Sequence, residues 1–316
     1  MQERNLGRTG LRVSRTGLGT MTWGTTTDEH EARDQLIAFV EAGGSLVDTA
    51  NVYGAGASEE LLGRLLGDVV PRQEMVIATK AGFGLRRAER VYDTSRGYLL
   101  STLDLSLRRL GVDHVDLWQM HVWDDGTPLD ETLAALDTAV SSGRTAYVGI
   151  SNYAGWQTAR AATWQQALPG RAPIASTQVE YSLVNRRVEA EVLPAAAACG
   201  MGVLPYSPLG KGVLTGKYRA GIPSDSRGAS EHASKIEAYL DERSRGIVEA
   251  VARAADGLGW TPLEVALVWV RDRPGVTAPI VGARTAAQLK SALGAEDKEL
   301  PPEIRAALDD VSEGAT

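Results

Sequence analysis

Residues 46–63 read LVDTANVYGAGASEELLG, a stretch that passes from an apolar strand to the start of a helix. Leu46-Val47 leads directly into Asp48, Tyr53 follows, and a glycine-rich turn precedes a helix that Ser58 is predicted to open. A buried aspartate is costly unless it is paired. The stretch therefore predicts either a buried cation that pairs with Asp48 or a strand end that opens onto a functional site.

The same strand-to-helix unit recurs along the chain. The apolar runs are short and mostly lack alternating polar residues, which is typical of strands buried on both faces. Helix signals lie between them, such as Thr261-Pro262-Leu263-Glu264, which combines an N-cap, a first-turn proline and a reciprocal glutamate. The runs end near Met21 and then at Ala50, Lys80, His121, Asn152, Tyr181, Ser207 and Gly282. Eight such units favour a closed α/β architecture, the (β/α)8 TIM barrel, over an open doubly wound sheet.

We predict a single domain over residues 1–316, because no Ser/Gly-rich linker or change in composition divides the chain. Two short segments separated by a glycine-containing turn predict an N-terminal β-hairpin within residues 1–14. Residues 82–94 and 207–230 are predicted to be long loops at the C-terminal face of the barrel, where barrels carry their functional residues. The tail, residues 312–316, is expected to be frayed.

Composition narrows the classes of partner and location. The formal net charge of −7 argues against nucleic acid or an anionic membrane as the main partner. The single cysteine, Cys199, fits a reducing compartment. No signal peptide and no membrane-spanning apolar stretch is visible, so a cytoplasmic protein is expected. Cys199 and the four histidines lack metal-ligand spacing, so no metal site is predicted. Nothing in the sequence indicates an oligomeric state.

Polar side chains follow three successive predicted strands: Asp48 and Tyr53, then Lys80, then His121. Singly, each also fits a structural role such as a helix cap or a buried pair. Together they converge on one mouth, because the carboxyl ends of barrel strands meet there. A tyrosine is a poor acid at neutral pH, and a nearby ammonium would make it a better one. This tetrad of Asp48, Tyr53, Lys80 and His121 predicts proton donation to a carbonyl.

Seven motifs then support a resemblance over nearly the whole chain. They are LVDTANVYGAGASEELLG, VIATKAG, DLWQMH, GISNY, TQVEYSLVNRR, PYSPLGKGVLTGKY and PIVGARTAAQL. Jointly they resemble the aldo-keto reductases. The resemblance implies NADPH-dependent reduction of an aldehyde or ketone, reversible as alcohol oxidation, by hydride transfer with Tyr53 as the general acid. It also implies that NADPH or NADP+ lies extended across the barrel mouth beside a small-molecule carbonyl substrate.

The same resemblance implies a set of cofactor contacts. Ser151, Asn152 and Gln178 match residues that bind the nicotinamide carboxamide, and Tyr206 matches the aromatic that stacks on the ring. The other matching positions are Gly19, Thr20 and Met21 on the first strand, Ser207, Pro208, Leu209, Gly210, Gly212 and Leu214 in the pyrophosphate loop, and Gly282, Arg284, Thr285 and Gln288 at the adenosine 2′-phosphate end. The chain departs from the family pattern at Asn51, where an acidic residue is frequent, and at Ser291-Ala292, which replace a frequent Glu-Asn pair.

Trp23 and Trp123 follow the first and fourth predicted strands. Their position favours the wall of a substrate pocket, with rim packing as the structural alternative. The acidic pairs Asp124-Asp125 and Glu59-Glu60 are interpreted as solvated charges rather than as a glycoside-hydrolysing pair.

Two other functions stay open. One is an NADP-binding regulatory protein resembling channel β-subunits. The other is a lyase that uses Lys80 as a Schiff base, which is disfavoured because Asp48 would keep the amine charged.

Overall fold

In the computed structural model, residues 1–86, 89–223, 226–229 and 233–315 of the chain are described. The strands in these ranges are β1 (Glu3–Asn5), β2 (Arg12–Ser14), β3 (Gly17–Gly19), β4 (Leu46–Asp48), β5 (Val76–Ala81), β6 (Phe83–Arg86), β7 (Glu89–Tyr92), β8 (Val115–Met120), β9 (Thr145–Ser151), β10 (Ile174–Glu180), β11 (Gly202–Tyr206) and β12 (Ile280–Gly282).

Eight of these strands close into a parallel barrel in the order β3-β4-β5-β8-β9-β10-β11-β12, with β12 pairing back onto β3. The predicted (β/α)8 barrel is therefore confirmed. The predicted N-terminal hairpin is also confirmed, since β1 and β2 pair antiparallel with Glu3 opposite Ser14.

Helices follow the barrel strands and cover the outside of the sheet. They are α1 (Glu29–Glu41), α2 (Ala57–Leu65), α3 (Arg96–Leu110), α4 (Leu129–Ser141), α5 (Gly155–Gln166), α6 (Val192–Cys199), α7 (Ser234–Glu237), α8 (Glu242–Leu258), α9 (Pro262–Arg271), α10 (Ala286–Leu293) and α11 (Pro302–Val311). Local sequence sets several boundaries. Asp28 caps α1 by accepting from the Glu31 N–H, and Thr261 and Glu264 form the predicted capping box of α9. None of the helices in the described ranges combines the length and the hydropathy that a bilayer-spanning segment requires.

The hairpin closes the N-terminal end of the barrel. Leu6 and Val13 are fully buried and pack in one apolar cluster with barrel-interior side chains such as Leu117 and Leu204. Gly7 permits this close approach, because its φ is +58° and an added Cβ would lie 2.5 Å from the Gly202 nitrogen. With the lower end filled, the accessible end is the C-terminal mouth.

Two segments carry more structure than their sequence patterns indicated. The predicted long loop at residues 82–94 contains a second antiparallel hairpin, β6–β7, and residues 87 and 88, which fall within this prediction, lie outside the described residues. The tail that was expected to be frayed contacts the rest of the chain over residues 312–315. The Ala315 carbonyl accepts from the Arg186 N–H at 2.6 Å, Ser312 is fully buried, and Ala315 is nearly so.

Candidate active site

Strand register places the first members of the tetrad inside the barrel mouth. Asp48 is the last residue of β4 and Lys80 lies on the adjacent strand β5, and both side chains are almost completely buried. The Lys80 ammonium lies 2.5 Å from Asp48 Oδ2 and donates to the Thr49 carbonyl at 2.9 Å. The buried cation that Asp48 required is therefore Lys80, which lies 32 residues further along the chain.

The turn after β4 brings Tyr53 to the same point. A one-turn 3-10 segment, Tyr53–Gly56, contains three residues with left-handed backbone: Gly54, Ala55 and Gly56. Glycine takes this conformation at little cost, whereas a residue with a Cβ rarely does. This turn places the Tyr53 hydroxyl 3.4 Å from the Lys80 ammonium. The same ammonium lies 5.2 Å from the centroid of the Tyr53 ring.

His121 completes the group from the end of β8. It is 9% exposed, and its ring meets the Tyr53 ring edge to face at a centroid distance of 6.0 Å. Phe83 packs against the imidazole in the same way at 4.6 Å. The Asn152 side-chain amide donates to the His121 carbonyl at 3.0 Å. All four predicted residues therefore lie around one point at the mouth, and their catalytic role stays a prediction.

The electrostatics of the pair favour a charged lysine. Burial alone lowers the pKa of the Lys80 ammonium, but the charge of Asp48, the interaction with Tyr53 and the hydrogen bonds to both outweigh it, so the pKa lies above its usual value. Lys80 is therefore a permanent cation beside the Tyr53 phenol at neutral pH.

The predicted nicotinamide contacts lie directly beside the tetrad. The Ser151 hydroxyl donates to the Gln178 carbonyl at 2.8 Å, and the Gln178 amide donates to Asp48 Oδ1 at 2.8 Å. The Tyr206 hydroxyl donates to Asn152 Oδ1 at 2.9 Å. Burial, followed by the charge of Glu180, raises the pKa of the Tyr206 phenol. Tyr206 therefore stays neutral, with a partly exposed ring at the mouth.

The remaining predicted cofactor positions form two further segments of the rim. The loop after β11 turns with left-handed backbone at Ser207, Gly210, Lys211 and Gly212, and an added Cβ on Gly212 would lie 3.0 Å from the Lys217 ammonium. On the other side, Thr285 caps α10, and the Arg284 N–H donates to Gln288 Oε1 at 3.0 Å. Both segments present cations or backbone donors near a helix start or turn, as an anionic group requires.

The three predicted positions at the first barrel strand differ in exposure. Gly19 and Thr20 are buried, and the Thr20 hydroxyl is engaged with Ser58 at 2.8 Å, whereas Met21 is exposed. Pro208 is also buried, while Leu209 and Gly282 retain exposed surface. Contact between these positions and a cofactor stays a prediction.

The predicted pocket role of Trp23 is wrong. Trp23 has no exposed surface. Its indole N–H donates to Gln35 Oε1 at 3.0 Å, and its ring packs in the core, so it is not a pocket wall. Leu214 is also buried in that core, as Thr20 is buried just after the first barrel strand, and its contact with a cofactor stays a prediction. By contrast, Trp123 lies at the rim with edge-to-face contacts to Tyr153 and Trp156, and its pocket role stays a prediction.

Two buried polar residues near the site were not identified from the sequence. Gln119, on β8, has no exposed surface and donates to Asp48 Oδ1 at 3.2 Å. The sequence did contain an indication of this role. Gln119 lies two residues before His121 on a buried strand, so its side chain points to the same face, and a buried polar side chain there needs a hydrogen-bond partner. Glu59, interpreted as a solvated charge, is instead buried between Thr79 and Arg109.

A family model, described as the aldo/keto reductase family, matches residues 15–313. The chain belongs to the aldo/keto reductase family and is an oxidoreductase by that membership.

Curated relatives cover almost all of the chain. It is 38% identical to the uncharacterized oxidoreductase YrpG of Bacillus subtilis (strain 168), over 99% of this chain and 97% of the relative. It is 35% identical to the L-glyceraldehyde 3-phosphate reductase of Escherichia coli (strain K12), over 92% and 86%. It is also 35% identical to a probable voltage-gated potassium channel subunit beta of Oryza sativa subsp. japonica, over 96% and 94%.

Proposed function

We propose that the protein reduces an aldehyde or ketone with NADPH and that Tyr53 is the proton donor. The observation that carries the proposal is the position of the Lys80 ammonium, which bridges Asp48 Oδ2 at 2.5 Å and the Tyr53 hydroxyl at 3.4 Å. A relative named as a reductase of an aldehyde, L-glyceraldehyde 3-phosphate, supports the reaction class. The single cysteine fits a cytoplasmic enzyme.

In this mechanism Tyr53 gives its phenolic proton to the carbonyl oxygen of the substrate. Lys80 stabilises the phenolate that forms, since an opposite charge at this distance favours the ionised form. Asp48 holds Lys80 in place, and the His121 imidazole orients the carbonyl oxygen. The chemistry supplied by NADPH, when bound, is hydride donation to the carbonyl carbon.

The rim residues fit a dinucleotide phosphate. Lys217 beside Gly212 and Arg284 at the start of α10 supply cations at two separate places on the rim. The partly exposed Tyr206 is the last residue of β11, next to the loop that follows this strand, where a flat ring can stack. These residues would hold the phosphates and the nicotinamide respectively.

Tyr53→Phe is expected to lower the rate of carbonyl reduction by roughly 10²–10⁴-fold, because general-acid assistance is lost while the ring and its packing remain. Loss of NADPH absorbance with an activated aldehyde gives the rate, and fluorescence titration gives the NADPH affinity, which should not change. Tyr147→Phe is the control, since that phenol lies near Gly10 in the hairpin, at the closed end of the barrel. Wild-type rates in Tyr53→Phe would refute the role of Tyr53.

Arg284→Ala is expected to weaken NADPH much more than NADH. A charge-assisted hydrogen bond to the 2′-phosphate is worth roughly 1.5–3 kcal/mol, which corresponds to about tenfold or more in affinity. Lys290→Ala removes an exposed cation from α10, the helix that begins just after Arg284, and is the matched control. If Arg284→Ala weakens the binding of NADPH and NADH equally, this residue does not bind the 2′-phosphate.

A cofactor-binding regulatory protein is the second candidate, favoured by the rice relative named as a channel subunit beta. NADPH binding without turnover across a broad panel of aldehydes and ketones would favour it. The raised pKa of Lys80 argues against a lyase, because a Schiff-base amine must be neutral, and borohydride should therefore trap no substrate adduct on Lys80.

A further inference from the structure

The two oxygens of Asp48 have different partners. Oδ2 faces the Lys80 ammonium, whereas Oδ1 accepts from the amide groups of Gln119 at 3.2 Å and Gln178 at 2.8 Å. All four side chains are almost completely buried. Since a buried carboxylate needs several donors to stay charged, the two glutamines are part of what makes the ion pair possible.

The two amides also orient each other. Gln119 Oε1 accepts from Gln178 Nε2 at 3.5 Å, which leaves Gln119 Nε2 to donate to Asp48. In the reverse orientation the Gln119 oxygen would face the carboxylate, and the two negative ends would repel each other. The network therefore has one favourable arrangement, in which Asp48 presents Oδ2 to Lys80.

Strand register places Gln119 at this point. It lies opposite Lys80 in the β5–β8 pairing and opposite Gly149 in the β8–β9 pairing. Gly149 leaves the space that the Gln119 side chain occupies, because an added Cβ would lie 2.6 Å from Ser176 Oγ and 3.1 Å from Gln119 Cγ. The long Gln119 side chain therefore reaches past the intervening strand β5 to Asp48 at the end of β4.

We propose that Gln119 is a positioning residue that holds the Asp48 carboxylate so that Lys80 stays directed at the Tyr53 hydroxyl. The inference rests on the proposed function, in which that hydroxyl is the acid. Gln119 acts only through Asp48 and Lys80. Because Gln178 donates to the same oxygen, the predicted nicotinamide contact and the proton donor are joined through Asp48.

Gln119→Met tests the proposal, because it keeps the length of the side chain and removes its donor. We expect kcat for aldehyde reduction to fall roughly tenfold to a hundredfold, the loss typical of one hydrogen bond to a charged group. The NADPH dissociation constant should stay within about twofold. Gln165→Met is the matched control, since Gln165 is also buried and donates to a carboxylate, Asp137, at 2.7 Å, but on the outer helices.

The pH profile separates positioning from lost stability. If Lys80 is held less firmly, it stabilises the Tyr53 phenolate less. The pH at which activity is lost on the alkaline side of the profile should therefore be higher in Gln119→Met than in the wild type, by roughly one pH unit. Lys80, His121 and Tyr206 face Tyr53, and the substitution leaves all three in place. Gln165→Met should lose thermal stability without moving the profile.

Gln119→Glu provides a rescue. When neutral, the introduced carboxyl group donates a hydrogen bond to Asp48 Oδ1 as the amide does, and burial beside a like charge raises its pKa. Activity should therefore approach the wild-type value at low pH and fall as the pH rises, whereas Gln119→Met stays impaired at low pH.

One measurement does not depend on turnover. Ultraviolet titration of Tyr53, as the difference between each protein and its Tyr53→Phe counterpart, should give a higher midpoint in Gln119→Met than in the wild type. If the wild type reduces carbonyls and Gln119→Met matches Gln165→Met in kcat, profile and midpoint, the positioning role is refuted while the proposed function stands. If the wild type shows no turnover, the proposed function fails, and the midpoint alone supports or refutes the role of Gln119.

Discussion

Trp23 and Trp123 show how the same residue type after a strand end acquires different roles. Trp23 is enclosed by the helix that follows it, since Gln35 on α1 accepts its indole N–H and its ring belongs to the core cluster. Trp123 lies over β8 and contacts Tyr153 and Trp156 at their edges. Of the two residues, Trp123 alone keeps exposed surface, so the predicted contact with a substrate stays open for Trp123 and not for Trp23.

Trp123→Ala is expected to change the relative kcat/KM values for small and bulky aldehydes while NADPH affinity stays nearly constant. The physical reason is that the indole is a large apolar surface two residues after His121, the tetrad member at the end of β8. Steady-state kinetics over a panel of aldehydes measure the ranking. Trp23→Phe serves as the comparison and should lower the melting temperature with the ranking intact. A melting shift alone in Trp123→Ala would assign that residue to packing.

At the scale of elements, α3 holds the turn that carries Tyr53. Arg109 at the end of α3 donates to the carbonyls of Asn51 and Ala55, on either side of Tyr53, and pairs with the buried Glu59 of α2 at 3.2 Å. Gly56 leaves the room for the guanidinium, because an added Cβ would lie 2.2 Å from its central carbon. The turn that carries Tyr53 is therefore held in place by a contact between two outer helices.

Arg109→Met is expected to cost roughly 3–5 kcal/mol of unfolding free energy, because Glu59 would be left as a buried charge without its cation. Denaturant unfolding measures this loss. The double variant Glu59→Gln/Arg109→Met should recover a large part of the stability, since no buried charge then remains unpaired. If the loss of unfolding free energy in the double variant equals the sum of the losses in the two single variants, the two side chains stabilise the fold independently.

At the scale of the whole molecule, ion pairs join the hairpin to the last helices of the barrel. Asp272, after α9, accepts from Arg4 of β1 at 2.9 Å and from Arg271 at 2.6 Å. Burial alone raises the pKa of the Asp272 carboxyl, but hydrogen bonds and charges from Arg271 and Arg4 outweigh it and hold the pKa below its usual value. The closed end of the barrel therefore depends on a charged aspartate.

This pairing predicts a loss of stability in acid. A carboxyl whose pKa is lower in the folded state contributes stability above its unfolded pKa, about 3.9, and loses it as the pH falls through the lower folded value. Asp272→Asn should cost about 1–3 kcal/mol at neutral pH and give a shallower decline between about pH 5 and pH 2. Thermal unfolding across this range is the measurement, with the exposed Asp310→Asn as control. If stability declines with falling pH as steeply in Asp272→Asn as in the wild type, Asp272 does not contribute to the loss of stability in acid.

The sequence by itself determined the architecture and the convergence of the tetrad. Strand ends and helix caps are local patterns, so the eight repeated units and the capping box at Thr261 could be identified directly. Once the barrel is closed, the ends of neighbouring strands meet at one mouth. Asp48, Lys80 and His121 then lie together as a consequence of the topology.

Only the tertiary structure decided which of the flanking polar and aromatic residues serve the site. Ser58 does not cap α2, whose N-cap is Gly56, because its hydroxyl lies within reach of Thr20 and Thr49. Trp23 is in the core, and Gln119 reaches Asp48 across 71 positions of the chain. These roles depend on contacts between segments that are far apart in sequence. Such contacts form only when the barrel closes, so no local sequence pattern predicts them.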